Sequence, residues 1–105
     1  MSNTMNVGSV RLFDTLCRDK AQALKPLEEA AEAFGAWQQR DAYRGCAAGP
    51  CRDELRRDLI DECLDAVQAT VNLLAAVGAT QGEVTSAVAI ALARWDRERE
   101  RREGR

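Results

Sequence analysis

The stretch 55-LRRDLIDECLDAVQATVNLL-74 carries four acids, Asp58, Asp61, Glu62 and Asp65, each three or four residues from the next. At about 100° per residue these acids gather on one side of a helix, and Leu59, Ile60, Cys63, Leu64, Val67 and Val71 gather on the other. Up to Asp65 the stretch reads as an ordinary amphipathic surface helix. Beyond Asp65 the acidic side is continued by Ala66, Ala69, Leu73 and Ala76, so the second half reads as apolar all round. Such a helix is buried on every side, in a bundle or an oligomer interface. Glu62 and Asp65 then stand at the entrance to a buried stretch, where carboxylates need arginines or a divalent cation opposite them.

Working outward, this helix spans residues 51 to 77, about 40 Å at the usual rise per residue, with Gly78 as its stop. Before it, 44-RGCAAGPC-51 is the clearest punctuation in the chain. After it, Thr80 and Glu83 have the spacing of a capping box, opening a helix whose buried side is Val84, Val88, Ala91, Leu92 and Trp95. Towards the N-terminus, 9-SVRLFDTLCRDKAQAL-24 has helical periodicity with Ser9 as its cap, and Pro26 predicts a break or a kink. A helix then runs over 26-PLEEAAEAFGAWQQRDAYR-44, with Leu27, Ala30, Ala31, Phe34, Trp37 and Gln38 on one side.

The expected fold is all-α: a four-helix bundle-like protomer with a long, largely buried third helix, assembled as an oligomer. The 105 residues suit one domain, with 1–8 and about 100–105 expected to be flexible. No strand is read. No apolar run approaches the ~18 residues of a membrane span, and MSNTMNVGSVR lacks the pattern of a signal peptide, so a cytoplasmic location is expected. A formal charge of -2 offers no basic field for nucleic acid. In the tail 96-DRERERREGR-105, acids interleave with the arginines, which argues against a nucleic-acid or membrane-surface role.

The chain has no histidine, which removes histidine bases and mixed Cys/His metal sites. Cys17, Cys46, Cys51 and Cys63 include no CxxC pair, so reduced thiols are favoured over a four-thiolate zinc site. A metal in this chain would be held mainly by carboxylates, which points to magnesium or manganese.

A second acidic group, 28-EEAAE-32, projects Glu28, Glu29 and Glu32 from neighbouring turns. Acids near a helix start suit the dipole, which accounts for Glu28 and Glu29 better than for Glu32. If the two acidic helices pair antiparallel, four carboxylates converge.

In this ordered combination, 28-EEAAE-32 followed by 62-ECLD-65, the chain resembles the MazG-like all-α nucleoside triphosphate pyrophosphohydrolases, whose signature is EExxE and then ExxD. The resemblance covers about residues 10 to 99, including the closing helix 79-ATQGEVTSAVAIALARWDRER-99, where Asp96 stands in the place of a common asparagine. It implies Mg2+-dependent cleavage, with Mn2+ able to substitute, between the α and β phosphates, releasing a monophosphate and pyrophosphate. By that resemblance Glu29, Glu32, Glu62 and Asp65 would be the metal ligands, and Glu28 or Glu29 would activate water. Lys25, Arg94, Asp96 and Arg99 would approach the substrate. Trp37 could stack on a base, although its place on the apolar side of its helix favours a core or interface role. The resemblance also implies a dimer or a dimer of dimers. Some small relatives carried by phages look selective for guanine nucleotides, so the expected substrate leans to (d)GTP or another purine, in a bacterial or phage-infected cell. The alternative is a non-catalytic helical oligomerisation module, in which the acids are only a solvated face.

Overall fold

The computed structural model describes residues 4–13, 19–42 and 49–104. Among the described residues there are three helices and no strand: α1 (Lys20–Ala42), α2 (Gly49–Ala76) and α3 (Gln81–Glu103). The all-α reading holds, but the helix boundaries differ from the sequence reading near both ends of the chain.

Asp19 caps α1. Its carboxylate accepts from the Gln22 N–H at 3.0 Å and its carbonyl accepts from the Ala23 N–H at 3.1 Å. The helix then passes through Pro26 without ending. The expected start at Ser9 is therefore corrected, and of the break or kink expected at Pro26 the break does not occur. Residues 9–13 are not helical because side chains of α2 occupy their backbone groups. The Phe13 N–H donates to Asn72 Oδ1 at 3.2 Å, and Gln68 Nε2 donates to the Arg11 carbonyl at 3.3 Å. Backbone groups satisfied from outside need no helical partners. Residues 14–18 of that expected helix lie outside the described residues. Pro26 lacks only the N–H that would have bonded the Gln22 carbonyl, a loss that a helix started by Asp19 absorbs.

The chain divides into two compact units, Val7–Val77 and Gly78–Arg105 with Met1–Asn6. In the first unit α1 and α2 pack on each other. They run antiparallel: Glu29 neighbours Asp65, and further along α1 Gly35 and Gln39 share a cavity wall with Leu55 and Asp58. On α1 the less exposed row is Gln22, Pro26, Glu29, Ala33 and Ala36; on α2 it is Leu55, Leu59, Glu62, Ala66, Ala69 and Leu73. Each row alternates steps of four and three residues, the spacing of a helix–helix seam.

This seam is small and polar on the α1 side, which the apolar pattern did not foretell. The bulky row does not enter this seam, with Leu27 68% and Phe34 59% exposed. On α2, Ile60, Leu64 and Leu74 are exposed as well. Among the described residues only Ala69 and Asn72 are buried.

Gly78, at φ 84, takes the left-handed conformation that follows α2. In the second unit, Thr80 opens α3 with the expected capping box. Its Oγ1 accepts from the Glu83 N–H at 3.1 Å, and Glu83 Oε1 accepts from the Thr80 N–H at 2.8 Å. The helix α3 runs on to Glu103. Glu98 accounts for the extension, since it pairs with Arg101 and, at 3.2 Å, with Arg102 in the following turn. No helix among the described residues is long and apolar enough to cross a membrane.

Candidate metal centre

The antiparallel pairing of α1 and α2 brings the two acidic groups together. Glu29 and Glu32 lie one turn apart on α1, and Glu62 enters from α2. One carboxylate oxygen from each lies within 4.8 Å of the others, close enough for a single cation to touch all three. Glu29 and Glu62 are half-buried and Glu32 is exposed, so the cluster sits at the rim of the seam. Asp65 is near enough to raise the pKa of both Glu29 and Glu62, and it shares with Glu29 the wall of an adjoining cavity.

The electrostatics of the cluster are unsettled without a positive charge. A hydrogen bond with Glu32 is the main cause holding the Glu29 pKa above the ordinary carboxylate value, followed by desolvation and by the charges of Glu32 and Asp65; Lys25 opposes them. The Glu62 pKa is also raised, first by desolvation and then by Glu32 and Asp65. One oxygen of Glu62, Oε2, is buried and has no hydrogen-bond partner. A carboxylate oxygen removed from water and left unpaired is costly, and a divalent cation is a partner that would satisfy it. Hard oxygen donors from three or four carboxylates fit Mg2+ or Mn2+.

Other residues singled out from the sequence occupy different surroundings. Glu28 is exposed and pairs with Lys25 at 3.4 Å. Lys25 also lines the cavity that contains Glu29 and Asp65. Trp37 lies nearly parallel to Phe34, with centroids 5.9 Å apart and planes 13° from parallel, on the exposed side of α1. Arg94, Asp96 and Arg99 belong to α3 in the second unit. There the Arg94 guanidinium lies over the Trp95 ring, 6.0 Å from its centroid, and Arg99 pairs with Asp96 at 3.8 Å. Cys17 and Cys46 lie outside the described residues, and Cys63 is a free, exposed thiol.

No family model, curated protein or solved structure matches the chain.

Two cavities flank the cluster within the first unit. One, of about 440 Å3, is walled by Glu32, Glu62, Asp58, Gln39 and the small residues Gly35 and Ala36. The other, of about 330 Å3, runs from Glu29 and Asp65 past Lys25 to Gln22, Gln68, Asn72 and Phe13. The periodicity of α2 gave no hint of this second cavity. Its signal was present in the sequence as two amides, Gln68 and Asn72, set four residues apart inside the stretch read as apolar all round. At 2% exposed, Asn72 is the most buried of the described residues.

Proposed function

We propose that the chain is a Mg2+-dependent nucleoside triphosphate pyrophosphohydrolase of the MazG-like kind, converting a (d)NTP and water to a (d)NMP and pyrophosphate, with a lean to (d)GTP or another purine. The observation that carries the reading is the meeting of Glu29, Glu32 and Glu62 across two helices, with Glu62 Oε2 buried and unpartnered. A surface stripe has no reason to bury an unpaired carboxylate oxygen.

Glu29, Glu32, Glu62 and Asp65 are the residues assigned to hold the metal. When bound, Mg2+ or Mn2+ supplies the positive charge by which a carboxylate-lined site accepts an anionic triphosphate and stabilises the charge that builds up during its cleavage. Glu28 and Glu29 are the carboxylates assigned to orient water and take its proton as the water oxygen attacks the α-phosphorus. The bond to the bridging oxygen breaks, and the electron pair leaves on pyrophosphate. Lys25, which lines the cavity beside Glu29, is assigned to the phosphates as a charged donor. Arg94, Asp96 and Arg99 of α3 are further candidates for substrate contact, whereas Trp37, beside Phe34 on the exposed side of α1, is assigned to an interface rather than to the base.

The exposed row of Leu27, Phe34 and Trp37, with Ile60, Leu64 and Leu74 on α2, supports assembly as a dimer or a dimer of dimers that completes a four-helix bundle. The same surface favours the second reading, a helical oligomerisation module without catalysis. The two are separated by incubating the protein with Mg2+ and a panel of ribo- and deoxynucleoside triphosphates and measuring pyrophosphate release. Cleavage that is lost in Glu62→Gln and Asp65→Asn supports the enzyme. If nothing is cleaved, the module is the correct reading; if both variants cleave as well as the parent, cleavage does not take place at this carboxylate site.

A further inference from the structure

Resting on that reading, we infer that the base of the nucleotide is held in the cavity beside Glu29 and Asp65, where Gln68 presents a hydrogen-bond acceptor and Asn72 a donor of fixed polarity.

The polarity follows from what residues 11–13 leave free. The Phe13 N–H can only donate, so the group that Asn72 turns towards it, at 3.2 Å, is its carbonyl oxygen. Its NH2 then remains for the cavity that Asn72 lines, and among the described residues it donates to no protein atom. Gln68 is wired in the opposite sense. The Arg11 carbonyl can only accept, so the Gln68 NH2 is turned to it at 3.3 Å and the Gln68 Oε1 is left over. Free side-chain amides flip readily and recognise either polarity, whereas these two are each set by a backbone group that cannot change sign.

An acceptor and a donor one helical turn apart suit a planar heterocycle that carries an N–H beside a carbonyl or ring nitrogen, as nucleobases do. Phosphate oxygens present no donor for Gln68 Oε1 and are disfavoured at this end. The Phe13 ring is exposed and lines the same cavity, offering a face for stacking. At the opposite end the walls are Glu29 and Asp65, with Lys25 beside them. The cavity is thus graded from amide and aromatic groups to charged ones, in the order base, then phosphate. Its volume of about 330 Å3 is of the size that small ligands occupy.

The test uses the full chain with Mg2+ and two probes, α,β-methylene dGTP and inorganic tripolyphosphate, following the side-chain amide resonances of Gln68 and Asn72 together with binding affinity. The nucleotide is expected to shift both resonances, and tripolyphosphate neither. Gln68→Met, at an accessible position, is expected to weaken the nucleotide about tenfold while leaving tripolyphosphate binding unchanged, and Asn72→Asp, which replaces the donor with a charged acceptor, to weaken the nucleotide by more than it weakens tripolyphosphate. The Gln68 variant retains the test if the buried Asn72 variant folds poorly. Equal shifts with tripolyphosphate, or nucleotide binding and cleavage unaffected by Gln68→Met, overturn the inference while the enzyme reading stands. Failure of every nucleoside triphosphate to bind or be cleaved overturns both.

Discussion

The carboxyl groups of Glu29 and Glu32, one turn apart on α1, bring oxygens within 4.8 Å of each other, and hydrogen bonding with Glu32 is the main reason the Glu29 pKa lies above the ordinary carboxylate value. A raised pKa favours the protonated carboxyl over the carboxylate that a cation needs. Protonation and cation binding therefore compete for the same oxygens.

That competition fixes the sign of a pH effect. Because the folded-state pKa values of Glu29 and Glu62 are raised, their contribution to stability is present at low pH and is lost as pH rises from the ordinary carboxylate value through the folded values. Added Mg2+ or Mn2+ is expected to raise the melting temperature at pH 8 and to do so far less at pH 5. In the absence of metal, Glu62→Gln should be more stable than the parent at pH 8, a difference that narrows on acidification. A metal-induced shift of equal size at both pH values would show that these carboxylates are not the ligands.

Glu32→Gln removes one of the three converging oxygens and leaves an exposed position of α1 otherwise intact. Mn2+ affinity, read by calorimetry, should fall by about a hundredfold or more, given that even outer-shell changes at metal sites cost about 10–100-fold. Circular dichroism should be unchanged. An affinity equal to that of the parent would remove Glu32 from the site.

Pro26→Ala restores the N–H that the Gln22 carbonyl lacks and replaces the poorest helix former with the best. The variant is expected to be more stable, by up to about 3 kcal/mol in denaturant unfolding. A loss of stability would mean that the proline ring itself makes packing that α1 needs.

The exposure of Leu27 and Phe34 gives a direct test of assembly. Sedimentation should find the parent larger than a monomer, and Leu27→Glu combined with Phe34→Glu should reduce it to one, since charges on an apolar interface cannot be desolvated cheaply. A parent that sediments as a monomer at all concentrations would leave those side chains without a partner.

At the start of α3, Thr80→Ala is expected to cost about 1 kcal/mol of local helix stability, measured as faster amide exchange over the first turn. The Thr80 N–H lowers the Glu83 pKa, so the reciprocal half of this cap is present above the ordinary carboxyl pKa and is lost as pH falls through the lowered value. Because Thr80→Ala keeps that N–H, protection over the first turn should fall in acid in parent and variant alike; protection that does not respond to pH would assign the cap to the Thr80 side chain alone.

The sequence was most legible where a local chemical rule acted alone. The capping box at Thr80 and Glu83, the left-handed Gly78 and the span of α2 each depend on neighbours a few residues away, and each formed as read. Glu29, Glu32 and Glu62 were legible as a set because their spacing puts them on facing turns of paired helices. The N-terminal segment was misread because its backbone partners, Gln68 and Asn72, lie 57 and 59 residues away, beyond any periodicity. The α1 seam was misread because size overrode hydropathy: Ala33 and Ala36 face α2, and Leu27 and Phe34 do not.

The acids of α2 and its two amides are strung along one continuous helix, so their angular relation is set by residue count alone. Inserting a single residue after Ala66 would rotate Gln68 and Asn72 by about 100° relative to Glu62 and Asp65 while leaving the helix as helical as before. Such an insertion would part the charged end of the cavity from its amide end without deleting a single functional group. The spacing from Glu62 to Asn72 thus acts as a ruler for the site, and its unit is the helical turn.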